Sequence, residues 1–219
     1  MNRSALIDRL AQAIDHVPCL HPLRVAIDGI DAAGKTSLAD ELAAELRGRG
    51  RQVIRASIDG FHNPRAVRYA RGPLSPEGYF LDSFNYPLLK QALLDPLGPG
   101  GSRVYRAAVF DHRADCALDL PEQIAPQNAV LLLDGVFLFR PELARCFDLK
   151  IFVDISFAES LRRALTRDLP SLGSLQTIEE RYHRRYIPGQ MLYFEQCSPH
   201  LAAGWRVNNE YVANPYLLS

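Results

Sequence analysis

The stretch from Arg24 to Ser37, RVAIDGIDAAGKTS, constrains this chain more than any other. It contains Gly29-Ile30-Asp31-Ala32-Ala33-Gly34-Lys35-Thr36, which fits the phosphate-binding pattern G-x-x-x-x-G-K-[ST]. Average residue usage puts a chance match in a chain of this length at roughly one in a hundred. Val25-Ala26-Ile27 reads as a buried strand before it, and Thr36 to Leu46 has helical periodicity after it, the order the pattern requires. Backbone N–H groups around such a loop can wrap an anion, and the positive end of the following helix faces the same point. Gly29, Ile30, Asp31, Ala32, Ala33, Gly34, Lys35, Thr36 and Ser37 are therefore expected to hold the phosphates of ATP or another nucleoside triphosphate. Lys35 would neutralise the β- and γ-phosphates, and Thr36 would offer its hydroxyl to Mg2+.

Length and charge narrow the remaining choices. At 219 residues the chain suits one domain, 1–219, with a small lid. Its 25 basic and 25 acidic residues cancel, so no long-range field draws nucleic acid or an anionic membrane. The expected partner is a small molecule, with room left for a homo-oligomer. No apolar run approaches membrane-spanning length, and MNRSALIDRL reads as an amphipathic helix capped by Ser4 rather than a signal peptide, so a cytoplasmic location is expected. Cys19, Cys116, Cys146 and Cys197 are far apart, with no C-x-x-C spacing for zinc or redox work.

Gln52 to Ile58 predicts a second strand ending at Asp59-Gly60-Phe61-His62-Asn63-Pro64. Ligands of open α/β sheets lie beyond the C-terminal strand ends, which places Asp59 where chemistry can occur. Arg65 to Asp82 reads as a long loop and Phe84 to Leu94 as a helix. Val104 to His112 suggests a hairpin or edge strand. Ala129 to Leu133 is a continuous apolar run ending in Asp134-Gly135, and Lys150 to Ile155 is another strand. Phe157 to Arg167 and Thr177 to Arg185 predict charged helices. Pro188-Gly189 should break the second, Met191 to Cys197 should resume it, and Arg206-Val207 should close the sheet. Strands alternating with helices predict a mostly parallel, doubly wound sheet; with the phosphate loop on its first strand, the expected fold is a three-layer α/β/α fold of the P-loop NTPase type, with a small helical lid over roughly 167–185.

Phosphoryl transfer needs cradled phosphates, a metal, charge stabilisation and a group that orients the nucleophile. Asp59 is placed to accept a proton from an acceptor hydroxyl or to touch the metal, although Asp-Gly is also common turn chemistry. Asp134, at the end of an apolar strand, suits Mg2+ in the same way. The arginines of residues 162–185, Arg163, Arg167 and Arg181 among them, can close over a polyphosphate or form a solvated helix face. His62 and His112 lack partners at metal-ligand spacing and suit polar contacts to a substrate. Tyr79 and Phe110 can stack on a planar base or fill core.

Taken together, RVAIDGIDAAGKTSLADELA, SIDGFHNP, LLLDGVFLF, DLKIFVDISFAESLRRALTRD and RYHRRYIPGQMLYFEQCSP resemble the uridine kinase and phosphoribulokinase group of P-loop kinases. The resemblance implies Asp59 as base, Asp134-Gly135 in place of the Glu-Gly usual in uridine kinases, and Arg163 to Asp168 as the entry to the lid. Val109 to Arg113 matches the nucleoside-binding segment in part, which brings Phe110, Asp111 and His112 forward. The usual Arg-Gly-Arg run of the lid is replaced by Asp168-Leu169-Pro170-Ser171-Leu172-Gly173. The resulting expectation is an ATP- and Mg2+-dependent kinase of a small-molecule hydroxyl. Lys35, Asp59, Arg163 and Arg167 would be catalytic, Thr36, Asp59 and Asp134 would lie at the metal, and Asp59, His62, Tyr79, Phe110, His112 and Arg181 would lie at the acceptor. Uridine or cytidine leads as acceptor, beside pantothenate, another nucleoside or a sugar. The rival is a nucleotide-dependent switch ATPase.

Overall fold

A computed structural model describes residues 2–218. The elements that position the site are α1 (Arg3–Asp15), β1 (Leu23–Gly29), α2 (Lys35–Gly48), β2 (Val53–Ser57), α3 (Pro76–Asp82), β3 (Val130–Asp134), β4 (Leu149–Asp154), α4 (Phe157–Arg167), α5 (Leu175–Arg181), α6 (Ile187–Cys197), β5 (Trp205–Asn208) and β6 (Tyr216–Leu218). Six strands form one sheet in the order β6-β5-β4-β1-β3-β2, parallel except for β6.

Every residue of β1 is buried, because the strand lies between β3 and β4 and is covered on both faces. Alternation in β3 assigns the two faces. Val130 and Leu132 pack with Leu6, Leu10 and Ile14 of α1 and with Leu38, Leu42 and Leu46 of α2. Leu131 and Leu133 pack on the other side with Ile58, Phe61, Leu89, Leu93, Phe137 and Tyr193. Burying each such side chain stabilises the fold by about 1.5–3 kcal/mol, so the two apolar faces of the sheet supply the three-layer architecture. A third, smaller core of Ala164, Ile178 and Tyr182 lies apart from both.

The architecture agrees with expectation, and several local features differ from it. Asn2 caps α1 instead of Ser4, its side chain accepting from the Ala5 N–H at 2.9 Å. The segment from Arg65 to Asp82 is not one loop: it holds a short helix, Arg65–Arg68, and then α3, whose Ser75 cap and Pro76 start follow ordinary helix-entry chemistry. Residues 104–112 form no single hairpin; Val104–Tyr105 pairs with Gln123–Ile124, and Phe110–Asp111 with Cys116–Ala117. Pro188 breaks nothing. The backbone stays helical from α5 through a widened π-turn over Tyr182–Tyr186 into α6, and the wider turn just before Pro188 accommodates a residue that has no N–H to give. The tail contains β6, paired antiparallel to β5.

Candidate active site

β1 ends in Gly29 because no side chain fits there: a Cβ would lie 2.4 Å from the Val153 carbonyl oxygen of the neighbouring strand. The chain then turns through Ala32 at φ +56° and Gly34 at φ +94° and enters α2 at Lys35. Gly34 is also the point of closest packing, since a Cβ would meet Asn209 Nδ2 at 2.7 Å. Asn209 holds the loop from behind, donating to the Ala33 carbonyl at 2.7 Å. Lys35 is nearly buried, and its Nζ donates to the Ile30 carbonyl at 2.7 Å, so the ammonium lies across the mouth of the loop. Burial pushes this lysine down from its ordinary value, while Asp31, Asp28 and Asp134 pull it back up.

The strand ends bring the acids to the same place. Thr36 Oγ1 donates to Asp134 Oδ2 at 2.7 Å, and Arg55 reaches Asp134 Oδ1 at 2.9 Å. Asp59 follows β2 on a short 3-10 turn, Ile58–Phe61, with its side chain open to solvent. His62 Nδ1–H donates to the Asp59 carbonyl at 3.0 Å, which leaves Nε2 as an acceptor. Its ring lies 4.5 Å from Phe84 and 4.7 Å from the stacked ring of His112. Burial pushes the His62 imidazole down to about 4 against the opposing pull of Asp59, so the ring is neutral near neutral pH.

Three cavities meet here. One of about 320 Å³ lies outside the loop, bordered by Ala32, Gly34, Thr36, Arg163, Asn209 and Val212. One of about 870 Å³ contains Lys35, Thr36, Asp59 and Asp134 together, and an adjoining one of about 830 Å³ extends from Asp59 to Arg181. Asp31, Asp59, His62, Tyr79, His112 and Arg167 border both larger cavities, and Arg167 also borders the smallest. The sizes suit a nucleotide on one side and a small acceptor on the other.

Some expected residues lie elsewhere. Phe110 pairs with Ala117 in its short ladder and borders none of these cavities. Arg163 faces the outside of the loop with its donors taken: Glu159 at 2.7 Å, the carbonyls of Ala32 and Ala33 at 3.3 and 3.4 Å, and those of Asn209 and Glu210 at 2.6 and 3.1 Å. That geometry makes it a brace for the phosphate loop rather than a group facing the acceptor. Arg167 is tied to Asp168 at 2.6 Å and to the Tyr182 hydroxyl at 3.2 Å. Sequence reasoning passed over Arg55, Asn209 and Gln190. The last anchors Asp31 by donating to its carboxylate and accepting from its N–H, both at 3.0 Å. Only an acid inside a phosphate loop, where its charge opposes the ligand, was a signal in the sequence.

The donor set at Thr36, Asp134 and Asp59 is all oxygen, which fits a hard cation such as Mg2+, and Arg55 leaves one Asp134 oxygen shared with Thr36.

No family model matches the chain. It is 29% identical over 182 residues to a uridine kinase of Chloroflexus aurantiacus, covering 80% of this chain and 82% of that protein. It is 27% identical over 171 residues to uridine-cytidine kinase B of Dictyostelium discoideum, covering 77% and 68% respectively. The fold superimposes on a possible uridine kinase from Bacillus stearothermophilus with a TM-score of 0.71 at 22% identity, covering 93% of this chain and 97% of that one. A phosphate loop on a parallel sheet, a hydroxyl and an acid meeting beside it, and relatives of this kind lead to one conclusion: the chain is similar to uridine kinases and has the P-loop build of an enzyme that phosphorylates a small molecule.

Proposed function

We propose that this kinase transfers the terminal phosphoryl group of ATP, with Mg2+, to a hydroxyl of a nucleoside, uridine or cytidine foremost, within a single domain whose lid spans roughly residues 167–185. The observation that carries the reading is the placement of Lys35, the Thr36–Asp134 pair and the free carboxylate of Asp59 around one cavity. Lys35 and the loop amides bind the triphosphate, and Thr36 and Asp134 hold Mg2+, which when bound neutralises charge on the phosphates. Among the described residues no Lys or Arg side chain pairs with Asp59, and the His62 ring beside it is neutral, so its carboxylate is free to accept the proton of the acceptor hydroxyl. Arg167 borders all three cavities and is placed to follow the transferred group from donor to acceptor. The nucleoside assignment draws on the relatives named uridine kinase and on the ring surface that His62, His112 and Tyr79 offer to the cavity.

The test is acceptor-dependent ADP release from Mg2+-ATP across nucleosides, pantothenate and sugars, with Asp59→Ala alongside. Uridine or cytidine should raise turnover. The variant should keep ATP affinity within about twofold and lose about 10²–10⁴ in kcat. Slow hydrolysis that no acceptor stimulates, equal in both proteins, would favour a nucleotide-dependent switch instead.

A further inference from the structure

Asp31 is the one acidic residue of the phosphate loop, where a negative charge opposes the ligand the loop is built to hold. Its surroundings separate it from that task. It borders both larger cavities beside Asp59 and does not border the small one on the nucleotide side. The backbone of the residue is fully committed, its N–H donating to Gln190 Oε1 at 3.0 Å and its carbonyl accepting from Ser160 Oγ at 2.6 Å. One carboxylate oxygen is committed as well: Oδ2 accepts from the Tyr79 hydroxyl at 2.9 Å and from Gln190 Nε2 at 3.0 Å. No donor among the described residues reaches Oδ1, and the residue is only partly buried, so that oxygen is presented to the cavity. Lys35 does not occupy it, because Nζ is turned to the Ile30 carbonyl.

An ionised carboxylate oxygen only accepts hydrogen bonds, so its complement is a donor and never another anion. Asp59, on the same cavity, takes the hydroxyl that reacts. We propose that Asp31 Oδ1 accepts a hydrogen bond from a second hydroxyl of the same acceptor, which makes Asp31 a specificity-determining residue for polyhydroxylated acceptors, the arrangement a ribose offers. The inference rests on the nucleoside reading above. Tyr79 and Gln190 hold the carboxylate in place, so the selectivity is built into the scaffold before the acceptor arrives.

The experiment compares kcat/KM for uridine, 2′-deoxyuridine and 3′-deoxyuridine in the full chain and in Asp31→Ala. In the wild type, one of the deoxynucleosides should fall about tenfold to hundredfold below uridine, the span of a hydrogen bond to a charged group. In Asp31→Ala, uridine should drop to the level of that analogue, and the ratio should shrink to within about twofold. Asp31→Asn, which keeps an oxygen acceptor, should retain part of the discrimination. A uniform loss across all three nucleosides with the ratio preserved would make Asp31 a brace for Tyr79 and Gln190 and overturn the proposal. Wild-type ratios near one for both analogues would overturn it without any variant. A wild-type chain idle on every nucleoside would instead remove the nucleoside reading, and this inference with it.

Discussion

At the residue scale, Asp28 shows what the fold demands of a group outside the reaction. It lies on β1 with no exposure, accepting from the N–H groups of Gly29 at 2.7 Å, Leu138 at 3.1 Å and Phe139 at 3.3 Å, and from the Tyr193 hydroxyl. It thereby fixes the turn that follows Asp134. Burial pushes its carboxyl up to about 6, and the bonds from Tyr193 and Gly29 pull against that without winning. A carboxyl raised in the folded state favours folding fully below its unfolded pKa and loses that contribution as pH rises through the folded value. Relative to Asp28→Asn, which does not titrate, the wild type should lose about 3 kcal/mol between about pH 3 and pH 7, about 2 kcal/mol of it between pH 4 and pH 6, and change little above pH 7. Urea unfolding of both proteins across that range checks it, and a difference independent of pH would count against the raised value. Asp28 and Asp31 also show what the sequence could not convey. Both are acids beside or within the phosphate motif, and the motif assigns them only backbone roles. Their side-chain partners, Tyr193, Tyr79 and Gln190, come from more than a hundred residues away or across an unpatterned segment, and no spacing rule links them.

At the scale of elements, the strands and the two charged helices were legible because burial imposes a period on them. β1 and β3 are continuous apolar runs that the sheet covers on both faces, and α4 begins and ends where its Ser156 cap and the sequence suggest. What escaped were elements set by tertiary contact: α3, the π-turns over Lys90–Leu94 and Tyr182–Tyr186, and β6. The meeting of α3 and α6 explains why Gly189 follows Pro188. A Cβ at Gly189 would lie 2.8 Å from Tyr79 Cδ1 and 2.9 Å from the Pro76 carbonyl oxygen. In Gly189→Ala two effects oppose each other: alanine gains up to about 1 kcal/mol of helix propensity, and overpacking costs about 1–3 kcal/mol. The obstructing carbonyl is backbone and cannot rotate aside, so overpacking should prevail and the denaturant midpoint should fall. Because α3 carries Tyr79, the displacement should also loosen its bond to Asp31 and raise the KM for the acceptor. A midpoint at or above that of the wild type would show that the two helices have slack between them.

At the scale of the whole molecule, the sheet and its two large cores form the rigid part, and the segment from Arg167 to Tyr186 is held differently. Its fully buried apolar side chains, Ile178 and Tyr182, pack on Ala164 of α4 in a small cluster that partly buried residues such as Leu165 and Leu172 complete. Leu169 and Leu175 are 40% and 51% exposed, and Gly173 turns the chain at φ +80° between them. Few buried apolar contacts and an exposed turn are the physical content of a low local unfolding free energy. The same segment supplies Arg167, Asp168, Ser171 and Arg181 to the walls of the two larger cavities, so filling those cavities should add contacts where the fold has fewest. Limited digestion with a protease of broad specificity should therefore cut first between residues 168 and 176. Mg2+-ATP with an accepted nucleoside should slow that cut by about tenfold or more, as expected when ligand is present at ten or more times its dissociation constant and the cleaved form does not bind it. Lys35→Ala, which weakens the hold on the triphosphate, should lose most of the protection while cutting at the same place. First cuts in the 104–124 region instead, or a rate at 168–176 indifferent to ligand in the wild type, would mean that this segment is a fixed wall of the site rather than a lid.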